Sequence, residues 1–288
     1  MNGLQILKDT AVVDLEQNLR TKFLSIPENT RLKLEIKDVS KTFNTRDGRI
    51  CALNRINLTI KEGEFTCVVG PSGCGKSTLL HLIAELEAPD KGEIILYSTE
   101  DEGRLVERLI VFQESALFPW LTVLENVAFG LRIKGMRYRE RVERAMDYLH
   151  LVRLSKFAHC YIHELSGGMK QRVALARALA MNPEVLLMDE PFAALDIQTR
   201  ENLSRELEEI WSKTGKTIIF VTHNVEEAVT LGDRVILFSG RPGTVQKEYR
   251  LNLSRPRQRE NPLLKEMINL ISNDFKRLDG ASINEATG

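Results

Sequence analysis

A chain of 288 residues with 43% hydrophobic content is long enough for one large domain with ample burial. Its 40 Lys plus Arg balance its 40 Asp plus Glu, so no global field recruits nucleic acid or acidic lipid. No apolar run reaches bilayer-spanning length, and Met1-Asn2-Gly3-Leu4 does not open a secretory leader, so any membrane work needs another polypeptide to hold the chain there.

In chain order, residues 1–32 read as an N-terminal extension, with Leu15 and Leu19 at loose helical spacing. Alternation at Leu32, Leu34 and Ile36 predicts a strand, and Ile56–Ile60 a second before the turn Lys61-Glu62-Gly63-Glu64. The nearly continuous apolar run Phe65–Val69 predicts a buried central strand. Further buried strands are expected at Arg108–Phe112, Val185–Met188, Thr217–Val221 and Val235–Phe238. Helical faces intervene: Val142, Met146 and Leu149; Val173, Ala176, Leu179 and Ala180; then Leu203, Leu207, Ile210 and Trp211, stopped by Gly215. The stretch from about 115 to 165 lacks buried-strand runs and reads as a helical insertion. Residues 251–288 form a tail in which Leu264, Ile268 and Ile271 predict a terminal helix. Strands alternating with helices predict an α/β fold, a mainly parallel sheet covered on both faces, with an added antiparallel layer at the front. The cysteines (Cys51, Cys67, Cys74, Cys160) have no metal-type spacing and fit reduced thiols, and the short basic clusters at Arg137–Arg139 and Arg255–Arg257 fit a solvated surface.

The segment Gly70-Pro71-Ser72-Gly73-Cys74-Gly75-Lys76-Ser77-Thr78 follows the central strand and opens an apolar helix, which is the context a phosphate loop needs. Its glycines let backbone N–H groups turn toward phosphate oxygens, Lys76 reaches the β- and γ-phosphates, and the Ser77 hydroxyl suits Mg²⁺. A second acidic pair ends the strand Val185–Met188: Asp189 can hold Mg²⁺, and Glu190, expected on the opposite side by strand alternation, can polarise an attacking water. His223 follows another buried strand; a structural role is the commoner one for a lone histidine, and a γ-phosphate contact is the alternative. Gln113, after Ile110-Val111-Phe112, could sense Mg²⁺ and the attacking water.

With Leu165-Ser166-Gly167-Gly168-Met169-Lys170-Gln171-Arg172 lying between Gln113 and Asp189, residues from about 33 to 240 resemble the ATP-binding subunits of ABC transporters. Ala193-Ala194-Leu195-Asp196 looks like the family's D-loop, His223 like its switch histidine, and Phe43 like the aromatic that stacks on adenine. The resemblance implies a RecA-like P-loop NTPase spanning about 33–250, with an antiparallel β subdomain and a helical subdomain. It implies an ATPase using ATP and Mg²⁺, working as a homodimer. Lys76, Ser77, Gln113, Asp189, Glu190 and His223 would act in cis, while Ser166, Gly167 and Gly168 meet the γ-phosphate of ATP on the other copy. Ser166 as a helix cap with exposed N–H groups behind it agrees with such an anion site.

A narrower resemblance, to the nitrate, sulfonate and taurine importer branch, rests on Phe118-Pro119-Trp120-Leu121-Thr122-Val123-Leu124-Glu125-Asn126-Val127, Gly240-Arg241-Pro242-Gly243 and Ser254-Arg255-Pro256-Arg257. It implies transmembrane permease partners contacted near Phe118 and Trp120, for which packing inside the helical insertion is the alternative. It further implies indirect work with a solute-binding protein, a place at the cytoplasmic face of the membrane, and no nucleic acid. A soluble ABC ATPase acting on nucleic acid or ribosomes, or an exporter subunit, are the competing readings. One cassette and a short insertion speak against the first. Ile162 stands where relatives often have proline, and Ala193 where many have serine, so a hydroxyl contact from Ala193 is absent.

Overall fold

A computed structural model describes residues 31–46, 48–98 and 106–285; the extension expected over 1–32, Leu15 and Leu19 included, falls outside them but for its last two residues. The described strands are β1 (Leu32–Thr45), β2 (Gly48–Lys61), β3 (Phe65–Val69), β4 (Lys91–Leu96), β5 (Arg108–Val111), β6 (Val185–Asp189), β7 (Thr217–Thr222), β8 (Arg234–Phe238) and β9 (Val245–Arg250). The helices are α1 (Lys76–Ile83), α2 (Val123–Ile133), α3 (Tyr138–Leu151), α4 (Gly167–Ala180), α5 (Ile197–Thr214), α6 (Val225–Leu231) and α7 (Pro262–Glu285).

One sheet has six strands in the order β5-β6-β7-β3-β8-β9, parallel except for β9, which runs antiparallel to β8. The other, β2-β1-β4, is antiparallel. The period of two in the central strands divides the core. Phe65, Cys67, Val69, Leu186, Met188, Ile218, Phe220, Val235 and Leu237 face a cluster shared with α2 to α7. Val68, Val185, Leu187, Ile219, Val221, Ile236 and Phe238 face the opposite way, toward α1 and the antiparallel sheet. Both faces of the sheet are therefore covered at its centre, which is why β3, β6, β7 and β8 read as unbroken apolar runs.

Two expectations need correction, and two strands were not foreseen. The strand at Arg108–Val111 is half-buried rather than buried, because β5 is the sheet edge, where Arg108 pairs with Glu85. β4 and β9 escaped the reading because their sequences, Lys-Gly-Glu-Ile-Ile-Leu and Val-Gln-Lys-Glu-Tyr-Arg, are held largely by backbone pairing. Arg257 is not solvated surface but 7% exposed: its guanidinium donates to the carbonyls of Val229, Thr230, Gly232 and Leu251, and Arg255 stacks over Trp211 while pairing with Glu208 and Asp233. Burial lowers the Arg257 pKa to about 10, so it stays charged at neutral pH. In α7, Leu264 and Ile271 are fully buried, and Gly215 ends α5 in the left-handed conformation.

Candidate active site

β5, β6, β7 and β3 are neighbours in register, with Val111 beside Met188, Asp189 beside Val221 and Val69 beside Thr222, so their carboxyl ends lie level. The residues just beyond those ends are Gln113, Glu190, His223 and Gly70. Parallel order thus brings segments scattered through the sequence to one edge of the sheet.

Gly70 to Gly75 wrap the amino end of α1. Gly75 caps the helix with φ 94, and a Cβ there would lie 2.6 Å from the Ala52 carbonyl oxygen, so neither the conformation nor the space admits a side chain. Lys76 is 4% exposed; its Nζ donates to Gly70 O at 2.8 Å and Pro71 O at 3.0 Å, and faces Glu190 Oε1 at 3.5 Å. Ser72, Gly73 and Ser77 are exposed, Thr78 is half-buried, and Cys74 is buried, which pushes its thiol pKa up and makes it a poor nucleophile. A buried cation among inward-turned backbone fits a polyphosphate.

Ser77 Oγ donates to Asp189 Oδ1 at 2.9 Å. Burial raises the Asp189 pKa, opposed by that hydrogen bond. A hydroxyl beside a carboxylate is a hard-oxygen donor pair that suits Mg²⁺. No set of three or more His, Cys, Asp or Glu able to hold a metal occurs among the described residues, so such an ion would also need phosphate oxygens and water.

Glu190 is placed differently from the strand-alternation argument. β6 ends at Asp189, and Glu190 adopts a left-handed backbone, φ 43, anchored by its N–H to Val221 O at 3.0 Å. The turn, not the pleat, aims it: Oε2 meets His223 Nδ1 at 2.8 Å while Oε1 faces Lys76. A non-glycine residue held there is strained, as functional loops often are. Gln113 is less engaged. It is exposed, its carbonyl receives Gln171 Nε2 at 2.6 Å, and no hydrogen bond joins its side chain to Ser77 or Asp189 among the described residues.

Phe43 is half-buried on β1, opposite Ile50 of β2, with the Lys41 ammonium 5.3 Å over its ring. Its hairpin borders the phosphate loop through Ala52 and Leu53. The signature lies elsewhere. Ser166 and Gly167 are exposed, Ser166 Oγ caps α4 by accepting Met169 N–H at 3.3 Å, and Gly168 is buried against Thr199. Among the described residues, neither Ser166 nor Gly167 has a hydrogen bond or close neighbour in residues 70–78 of its own chain.

Sequence reasoning missed the link between the D-loop and the histidine. Arg200 donates to Leu195 O at 3.0 Å and pairs with Glu227 at 3.2 Å, while Thr222 donates to Glu227 at 2.8 Å. Burial raises the Glu227 pKa. A glutamate among the apolar residues Val225, Ala228 and Val229 of α6 was the available signal. Phe118 and Trp120 also part company: Phe118 packs 4.4 Å from Phe129 under the Arg177 guanidinium, whereas Trp120 is 70% exposed.

A sequence profile described as ABC transporter matches residues 53–193, and one described as an AAA domain, putative AbiEii toxin of a type IV toxin–antitoxin system, matches 158–229. The nitrate import ATP-binding protein NrtD of Synechocystis sp. is 50% identical over 231 residues, covering 80% of this chain and 86% of that one. The taurine import ATP-binding protein TauB of Jannaschia sp. is 49% identical, covering 76% and 82%. Among solved structures, a dimeric post-hydrolysis ATP-binding cassette bound to ADP and Pi superposes with TM-score 0.66 at 39% identity, covering 77% of this chain and all of that one.

Proposed function

This chain belongs to the ABC transporter family as an ATP-hydrolysing subunit, and from that premise we propose that it energises import of a small anion, with aliphatic sulfonate, taurine and nitrate the candidate solutes. The observation that carries the mechanism is the convergence of Lys76, Ser77, Asp189, Glu190 and His223 on one crevice.

Phosphates of ATP enter the phosphate loop, where Lys76 neutralises them and Phe43 stacks on the base. Ser77 and Asp189 would hold Mg²⁺, which supplies charge neutralisation across the phosphates. Glu190 takes the proton of the attacking water, oriented by His223; phosphate arriving at Lys76 replaces the ion pair with Glu190 and frees that carboxylate oxygen. Gln113 reaches the site only after its exposed side chain turns inward. Ser166, Gly167 and Gly168 belong to ATP on a second copy, a reading supported by the dimeric cassette that this chain resembles. Among the described residues no helix is long and apolar enough to cross a membrane. The names of its import ATP-binding relatives support a peripheral place at the cytoplasmic face, where Trp120 would meet a transmembrane permease and a solute-binding protein would act through that permease.

Glu190→Gln keeps the shape and removes the base. The variant is expected to bind ATP, dimerise, and hydrolyse about 10² to 10⁴ times more slowly. Brisk turnover in a single-turnover assay would remove Glu190 from the role.

A further inference from the structure

The motif Gly240-Arg241-Pro242-Gly243 has no part in the mechanism above, yet it touches the phosphate loop directly. It forms a closed turn after β8. Ser239 N–H donates to Thr244 O at 3.0 Å, Thr244 N–H donates to Ser239 Oγ at 3.0 Å, and that hydroxyl also lies 3.0 Å from Pro242 O. The turn is tied to β2 by Gly243 N–H to Ala52 O at 2.9 Å and Asn54 N–H to Gly243 O at 3.0 Å.

From that anchored position it backs the loop at two points. Arg241 Nε donates to Gly73 O at 2.9 Å, and a Cβ on Gly73 would lie 2.6 Å from the same guanidinium. A Cβ on Gly243 would lie 2.1 Å from Cys74 O, so the two backbones touch. Carbonyl and N–H of one trans peptide point in opposite directions. Holding Gly73 O outward therefore aims Cys74 N–H to the loop interior, where Pro71 O receives it at 3.3 Å. Among the described residues Arg241 has no carboxylate partner, and its guanidinium spends its hydrogen bond on Gly73 O.

We propose that Arg241 is a positioning residue for the nucleotide phosphates: the 239–244 turn is tied both to the hairpin bearing Phe43 and to the phosphate loop, and fixes the loop in its binding shape. This rests on the ATP site assigned above and extends it to a residue outside every nucleotide-contacting segment. Because the clasp acts on the loop and not on the γ-phosphate or the water, it serves ATP and ADP alike. It stabilises the bound ground state, so its loss belongs in KM rather than kcat.

The test uses the full-length chain titrated with ATP and with ADP, alongside steady-state hydrolysis and thermal melting. Arg241→Ala is expected to weaken both nucleotides by about the same factor, roughly three- to tenfold for one charge-assisted hydrogen bond at the surface, with kcat held within about twofold. Arg241→Lys, which keeps the charge and a donor, recovers part of the loss. Unchanged affinity in Arg241→Ala overturns the proposal, as does a joint fall of affinity, kcat and melting temperature, which marks a general structural role. Lys76→Ala is the control. If it loses nucleotide while Arg241→Ala does not, only the clasp fails; if the unaltered chain binds neither nucleotide, the ATP site and the clasp fail together.

Discussion

At the phosphate-loop end, Ser77 meets Asp189 at 2.9 Å, and Lys76 and His223 hold the two oxygens of Glu190 at 3.5 and 2.8 Å. At the signature end, the Ser166 hydroxyl has one hydrogen bond among the described residues, from Met169 N–H, and otherwise faces out. The first region is built on parallel strand ends whose register fixes separate segments against one another. The second is a helix N-terminus beside the α2–α3 region, fixed from behind by Gly168 on α5. Charge is matched within the chain at one end, and at the other the backbone donors and Trp120 point away from it. On the function proposed above, the first end is completed by nucleotide and the second by the surface of another chain.

The largest expected effect separates the two ends outright. Lys76→Ala removes a buried cation from the loop and should weaken ATP by about a hundredfold, whereas Ser166→Ala should leave monomer affinity close to unchanged. Both variants should lose hydrolysis. In a symmetric dimer each site joins one chain's loop to the other's signature, so mixing the two variants rebuilds one intact site in each mixed dimer. Random pairing would then restore up to about a quarter of the unaltered rate. A mixture no more active than its parts breaks the comparison, because it would place Ser166 on its own chain's nucleotide.

A middling effect concerns what holds the signature in place. A Cβ on Gly168 would lie 2.6 Å from Thr199 Cγ2, and Thr199 sits in the first turn of α5, fixed by its N–H to Asp196. Gly168→Ala should therefore cost about 1–3 kcal/mol of stability in denaturant unfolding, despite the better helix propensity of alanine. Adding Thr199→Ser removes the opposing methyl and should restore most of it. If the second change restores nothing, Gly168 is not a packing residue and the signature end is held by something else.

The same division explains how much could be read without coordinates. Phe65–Val69, Val185–Met188, Thr217–Val221 and Val235–Phe238 were legible because strands covered on both faces must be apolar throughout. Lys76, Ser77 and Asp189 were legible because a loop and a strand end carry their local context with them. The aim of Glu190 was not, since it depends on a left-handed residue whose N–H is anchored on β7. Glu227 and Arg200 were hidden for the same reason: their meaning lies in a contact between distant segments. β4 and β9 are stabilised by backbone pairing that leaves little mark on side-chain pattern.

The smallest effect on the folded chain, and the sharpest on its partners, belongs to the loop before α2. Asn126, fully buried, accepts Phe118 N–H at 2.8 Å and donates to the carbonyls of Phe118, Leu121 and Thr122, so the loop is preformed. Phe118 packs against Phe129, and Trp120 leans on Phe118 with ring centroids 5.6 Å apart while remaining 70% exposed. An exposed indole on a preformed loop gains nothing for the fold that it would not gain more of by being covered. Trp120→Ala should shift stability by less than about 0.5 kcal/mol, whereas Phe118→Ala should cost about 1–2 kcal/mol through lost packing. Co-purification with a multi-spanning membrane partner should fail for Trp120→Ala although the chain melts as before. Retention of that partner by a Trp120→Ala chain would move the docking surface elsewhere, for example to the exposed Tyr138 or Tyr161.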